Sequence, residues 1–255
     1  MNTKLFAPIK LEEIDQVKLM NRIDQKFWFH EANLLPVLQS VSEDYFILDI
    51  EGQSEFPYTS TYYDTPDKRM YTLHHNGKLN RYKIRRRSYI SSGLSFLEIK
   101  YKNNKGLTDK KRLPAKFNAG PFTPEEREFI QDLTPYCSEH LTPSLSNKFV
   151  RLTLVNRNFR ERCTIDRHLE FKKNGAWFQL QNLTIIEIKT EGRQMPSPLK
   201  LALNEERIRA SGFSKYCMGM AFTNRNLKRN RFKKKIRIIE KTLQTNMDLY
   251  QTKNH

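Results

Sequence analysis

The sequence predicts an α+β protein in which antiparallel strands close into a β-barrel tunnel, with helices at its periphery and C-terminus. Three observations lead there. Arg81-Tyr-Lys-Ile-Arg-Arg-Arg87, Phe96-Leu-Glu-Ile-Lys100 and Ile186-Glu-Ile-Lys189 alternate charged with mostly apolar residues, the strand period. Ser91-Ser-Gly93 and Asn103-Asn-Lys-Gly106 separate such segments with hairpin chemistry, which favours an antiparallel meander. Rows as charged as Arg81, Lys83, Arg85 and Arg87, or Glu98 with Lys100 and Glu187 with Lys189, cannot be core. Turned inward in a closed sheet, they line a tunnel suited to a phosphate chain and a divalent metal.

The elements follow in order. Leu11 to Met20 has roughly helical spacing and predicts a short entry helix; Arg22 to Phe29 alternates as a strand with Arg22, Asp24 and Lys26 on one face. His30 to Ser42 reads as a helix with Leu34, Leu35 and Leu38 inside. Ser60 to Tyr63 is a short aromatic strand ending at Asp64-Thr-Pro-Asp67, a turn whose acidic side chains can hold local amides. Two or three strands occupy Arg81 to Arg112, and Thr123-Pro-Glu-Glu126 starts a helix that reads as an excursion from the sheet. Strands resume at Phe149 to Phe159, Arg162 to Phe171, Trp177 to Gln179 and Thr184 to Thr190. Met195-Pro-Ser-Pro198 breaks the pattern before helices at Leu199 to Arg209 and Lys215 to Phe222.

With 255 residues the chain can bury a substantial core, and 16 Phe with 11 Tyr argue against disorder. Forty-five Lys plus Arg against 28 Asp plus Glu leave a net charge of +17, so a partner should be anionic. Cys137, Cys163 and Cys217 are odd in number and far apart, which suggests neither a disulfide framework nor a zinc-thiolate site. No stretch approaches the roughly 18 apolar residues of a membrane span, and Met1 to Glu13 has no targeting pattern, so a soluble, cytoplasmic protein is expected. Nine of the residues from Asn224 to Lys241 are basic, which reads as a solvated helix or exposed arm able to contact an anionic surface or nucleic acid. The expected organisation is an N-terminal extension over 1–20, a phosphate tunnel domain over 21–222 and a basic, helical tail over 223–255.

Charge runs are usually solvated faces, yet Glu-Ile-Lys recurs at the centre of two strands. Carboxylates among cations are best explained as Mg²⁺ or Mn²⁺ ligands or as groups that orient the lysines. Arg151 and Arg157 share one face of their strand, as do Arg162, Thr164 and Asp166 on the next, while Arg160 and Arg167 read equally well as surface ion pairs. The six histidines form no His-x-His or His-Glu-x-x-His, and no glycine-rich loop ends in Gly-Lys-Ser/Thr, so a nucleotide would be held by side chains.

Over roughly residues 20 to 222 the order of these segments resembles the polyphosphate polymerase domain of the vacuolar transporter chaperone (VTC) family, within the CYTH-like triphosphate tunnel metalloenzymes. Arg22 to Trp28, Ser60 to Asp67, Tyr82 to Tyr89, Phe96 to Lys100, Lys110-Lys-Arg112, Arg162 to Asp166, Glu187-Ile-Lys189 and Phe213 to Tyr216 carry it. The resemblance implies a tunnel that binds ATP with polyphosphate or triphosphate, and a phosphotransferase whose growing chain attacks the γ-phosphoryl group of ATP. By position it implies phosphate contacts from Lys26, Arg85, Arg87, Lys100, Arg157 and Lys215. Lys83, Lys111, Arg162 and Ser214 would support them, with Glu187 as principal and Glu98 as auxiliary ligand of Mn²⁺ or Mg²⁺. Val155 stands where the family often has Tyr, and Asp24 where related tunnels often offer glutamate. On these expectations Arg85→Ala or Arg87→Ala nearly abolishes turnover and leaves the fold intact. Metal-dependent hydrolysis of triphosphate or nucleoside triphosphate, and non-catalytic polyphosphate binding, are the alternatives.

Overall fold

The computed structural model describes residues 5–15, 22–117, 120–173, 175–191 and 196–244. Its elements are β1 (Ala7–Ile9), α1 (Leu11–Asp15), β2 (Arg22–His30), α2 (Leu34–Gln39), β3 (Tyr45–Leu48), β4 (Phe56–Asp64), α3 (Arg69–His75), β5 (Arg81–Tyr89), β6 (Ser95–Lys102) and β7 (Thr108–Pro114). They continue with α4 (Pro124–Leu133), β8 (Thr142–Asn156), β9 (Glu161–Lys173), β10 (Ala176–Gln179), β11 (Leu183–Glu191), α5 (Pro198–Glu205), α6 (Lys215–Thr223) and α7 (Lys233–Leu243). The entry helix expected to reach Met20 is seen over Leu11–Asp15, and its remainder lies outside the described residues.

The fold is α+β, with antiparallel strands apart from a parallel β1–β3 pair, and with peripheral and C-terminal helices. Among the described residues the hydrogen-bonded order is β2-β11-β9-β8-β4-β5-β6-β7. Of the expected barrel, the antiparallel ladders are shown and the closure is not, among the described residues.

The chain divides into two compact units. The first comprises Met1–Phe56, Phe149–Leu169 and Leu180–Phe213. Here β11 pairs with β2 on one side and β9 on the other, so that Glu187 stands opposite both Lys26 and Thr164. Alternation sends Ile186 and Ile188 to the other face, where they join Phe27, Cys163 and Ile165 in a core closed by α2 and α5. Burying those aliphatic side chains, at about 1.5–3 kcal/mol each, is what holds the charged residues of β11 in register on the opposite face. The helix expected from His30 starts later, after a 3₁₀ turn at Glu31–Asn33. Pro36 lacks an N–H and is tolerated only near a helix start, and the stripe Leu34, Val37, Leu38 turns inward and leaves Leu35 exposed.

The second unit comprises Pro57–Lys148, Glu170–Gln179 and Ser214–His255. Ile84, Leu97 and Ile99 of β5 and β6 pack with Tyr63, Met70 and Ile130. Gly93 (φ 67°) and Gly106 (φ 79°) turn the two hairpins, and the Asn103 side chain accepts from the amides of Lys105 and Leu107 at 3.0 and 2.9 Å. Thr123 and Glu126 form a reciprocal capping box on α4. Glu126 also pairs with Arg86, which explains the cation on an otherwise apolar face: Arg86 is anchored in the Glu126 carboxylate, the Tyr63 hydroxyl and the Gly120 and Pro121 carbonyls.

The sequence reading did not anticipate α3. The buried Asp64 carboxylate accepts from the amides of Thr65, Met70 and Tyr71 at 2.8, 2.9 and 3.0 Å and from the Tyr216 hydroxyl, satisfying donors that the helix start leaves open. The basic tail also differs from expectation. Ile236, Ile239 and Leu243 of α7 are buried, and the segment before it is tied to α3 through Tyr71 Oη to the Lys228 carbonyl (2.9 Å) and Arg231 Nη1 to the Asn76 carbonyl (2.7 Å).

Within α6, a Cβ on Gly219 would lie 2.4 Å from a Leu145 methyl and 2.5 Å from the Phe171 ring. Gly219→Ala is expected to destabilise the protein by about 1–3 kcal/mol through overpacking, against about 1 kcal/mol of gained helix propensity. Urea denaturation measures it, and a stability equal to or above wild type would contradict this packing.

Candidate functional site

Among the described residues each unit carries a cluster in which several cations surround a carboxylate. In the second unit β5 and β6 place Arg85 opposite Glu98 and Lys83 opposite Lys100. Arg85 donates through Nε and Nη2 to Glu98 Oε2 at 2.7 and 2.5 Å and through Nη1 to Tyr62 Oη at 3.3 Å. Lys110 reaches Glu98 Oε1 at 3.4 Å, so both oxygens of a side chain only 1% exposed are engaged. Burial raises the Glu98 pKa, but Arg85, then Arg87, Lys110 and Lys100, outweigh it and hold the carboxyl well below its usual range. The same guanidinium groups pull the buried Tyr62 hydroxyl below its ordinary pKa against the rise that burial imposes. Arg87 donates to Ser60 Oγ at 3.2 Å and lies over the Tyr58 ring.

Because the Glu98 pKa is depressed on folding, its contribution to stability is complete above the unfolded value of about 4.3 and is lost as pH falls toward the lower folded value. Stability is expected to fall below about pH 4.3 less steeply in Glu98→Gln than in wild type, as acid titration by circular dichroism would record. Equal slopes would contradict the ion-pair account.

Ser214 sits at the N-cap of α6, accepting from the Cys217 amide at 3.2 Å and from Lys83 Nζ at 3.1 Å; Lys215 follows in the first turn and adds to the field on Tyr62. Lys111 faces away from this cluster. The register sets it opposite Ile99, while its neighbours Lys110 and Arg112 fall opposite Lys100 and Glu98. Neither neighbour was assigned a role from sequence, and a one-residue shift in a strand exchanges faces.

In the first unit Glu187 Oε1 is 3.5 Å from Lys26 Nζ and Oε2 is 2.9 Å from Lys189 Nζ. Burial raises the Glu187 pKa, and Lys26, Lys189 and Arg151 overcome it, leaving the group ionised well below its usual range. Burial lowers the Lys189 ammonium pKa. Lys26 Nζ also approaches the Phe213 carbonyl at 3.5 Å, beside a surface hollow of about 290 Å³ lined by Asp24, Gln25, Lys26, Ala210, Ser211 and Gly212. On β9, Arg162 pairs in register with Lys189, and Asp166 takes a bidentate contact from Arg151 at 2.6 and 2.8 Å. Arg157 lies just beyond β8, exposed, with Nε on the Glu43 carbonyl at 2.5 Å and its guanidinium over Phe46. Arg167 is largely buried between Glu31 and Glu55, a structural ion pair.

Among the described residues no three His, Cys, Asp or Glu side chains converge as a metal cluster. Glu187, with a side chain 21% exposed, still suits Mg²⁺ or Mn²⁺, hard cations that accept one carboxylate when phosphate oxygens and water complete the shell. Glu98, enclosed and doubly engaged, suits the anchoring of Arg85 and Lys110 better than metal ligation. Among the described residues no helix is long and apolar enough to cross a membrane.

No curated protein matches the sequence. Solved structures that resemble the chain include a putative adenylate cyclase from Vibrio parahaemolyticus (12% identity, TM-score 0.43, 79% of this chain and 98% of that one). Another is a putative adenylyl cyclase from Hippeastrum, described as having a dominant triphosphatase activity (13%, TM-score 0.46, 79% and 96%). A third is a conserved hypothetical protein from Pyrococcus furiosus (11%, TM-score 0.39, 72% and 87%). The VTC domain model matches residues 21–224, most of the sequence, and the chain therefore belongs to the VTC domain family.

Proposed function

We propose that this chain transfers the γ-phosphoryl group of ATP to the end of a polyphosphate chain. The observation that carries the reading is Glu187 held between Lys26 and Lys189 on one sheet face of a VTC-family chain. A polyanionic substrate needs cations that are already oriented, and an ion-paired carboxylate orients them before the substrate arrives.

The terminal phosphate oxyanion of the chain attacks the γ-phosphorus. A new P–O bond forms as the bond to the β–γ bridging oxygen breaks, and ADP leaves with that electron pair. The attacking oxygen is already ionised, so no side-chain base is required. Lys26, Arg85, Arg87, Lys100, Arg157 and Lys215 are assigned phosphate contacts, and Lys83, Arg162 and Ser214 supporting ones; Lys111, on the opposite face of its strand, is assigned none. Glu187 is assigned to Mg²⁺ or Mn²⁺, which when bound draws charge from non-bridging oxygens. Glu98 is assigned to positioning Arg85.

The test is incubation with ATP and Mg²⁺ or Mn²⁺, resolving ADP, orthophosphate and chain products. Chain phosphate matching ADP is expected. Orthophosphate alone would replace transfer by hydrolysis, and tight polyphosphate binding without turnover would replace it by a sensor.

A further inference from the structure

Among the described residues, two buried polar groups on the Glu187 face of the first unit have no hydrogen-bond partner. Thr164 stands directly opposite Glu187 in the β9–β11 ladder; it is 7% exposed, and its Oγ1 has no partner among the described residues. Trp28 lies two residues from Lys26 on β2, hence on the same face; it is 9% exposed, and its Nε1 likewise has no partner among them. Buried polar atoms are almost always satisfied, because leaving one dry costs most of its desolvation. Two such groups beside an ion-paired carboxylate therefore point to a ligand.

The chemistry narrows that ligand. An indole N–H can only donate, so Trp28 calls for an acceptor and excludes a bare cation. A threonine hydroxyl can donate to the same kind of atom. Lys26, Lys189 and Arg151 add positive charge on this face, so the acceptor carries negative charge.

We propose that the Thr164 hydroxyl and the Trp28 indole donate hydrogen bonds to phosphoryl oxygens of the substrate held beside Glu187. This rests on the phosphate-binding part of the function proposed above and adds two neutral donors to its cations. They specify oxyanion geometry where lysines supply charge without direction.

The experiment is calorimetric titration of inorganic tripolyphosphate, without turnover, into wild type, Thr164→Val, Thr164→Ser and Trp28→Phe, each with a ligand-free melting curve. Thr164→Val is expected to bind about tenfold more weakly, and Thr164→Ser to recover wild-type affinity. The ligand-free melting temperature of Thr164→Val should not fall, since the hydroxyl removed had nothing to bond. Trp28→Phe should also bind more weakly; if it does not fold, Thr164→Val decides alone. Wild-type affinity in a folded variant overturns the assignment of that residue. Failure of the wild type to bind tripolyphosphate overturns the phosphate reading itself, and the two failures are distinct.

Discussion

Replacing Glu187 with Gln is expected to lower ATP turnover by at least about a hundredfold, the usual effect of removing one preorganised electrostatic group, while the protein stays folded. The substitution keeps the shape and hydrogen-bonding reach of the side chain but deletes its charge. Lys26 and Lys189, at 3.5 and 2.9 Å, lose the group that orients them, and a divalent ion loses the carboxylate assigned to it. The ground state should tolerate the change because the Glu187 side chain is 21% exposed. Steady-state turnover at saturating Mg²⁺, with a melting curve on the same sample, gives the answer. Turnover within about threefold of wild type would remove Glu187 from the proposed machinery, a hundredfold being the expected scale.

Arg85→Met is expected to cost about 3–5 kcal/mol of stability, because it leaves the Glu98 carboxylate enclosed and short of its principal counter-charge. Lys110, at 3.4 Å and partly exposed, compensates incompletely. Adding Glu98→Leu should restore most of the loss, since removing both members of a buried pair is commonly close to neutral. Chemical denaturation of the two single variants and the double variant tests this. An Arg85→Met protein as stable as wild type would mean that Glu98 does not depend on Arg85. The geometry thus revises the expectation that truncating Arg85 spares the fold: three of its hydrogen bonds hold Glu98 and Tyr62.

What was legible in the sequence is what local periodicity encodes. Glu187 and Lys189 part from Ile186 and Ile188 by simple alternation, as Glu98 and Lys100 part from Leu97 and Ile99, and both divisions are seen in the core and ion-pair patterns. The Thr123 capping box and the hairpin glycines were equally local. Long-range pairing was not legible. Arg86 interrupts an otherwise apolar strand face, and its partner, Glu126, lies 40 residues away. Three consecutive cations at Lys110 to Arg112 hid which of them faces Glu98, a matter of ladder register alone. Helix α3 escaped because its cap is Asp64, five residues before the helix begins, and the nine basic residues from Asn224 to Lys241 masked the stripe Ile236, Ile239, Leu243. Closure of the sheet depends on how the end strands meet, which no local pattern records.

On the proposed function, the cations on these strands serve to hold a phosphate chain. The most direct measurement is titration of inorganic polyphosphate into wild type and into a Lys83→Ala/Lys100→Ala variant, which removes two cations that face each other across β5 and β6. Tight binding by the wild type is expected, and binding at least about tenfold weaker in the variant, the loss expected from charge-assisted contacts, with the variant still folded by circular dichroism. Equal affinity in both proteins, or no binding by the wild type, would contradict it.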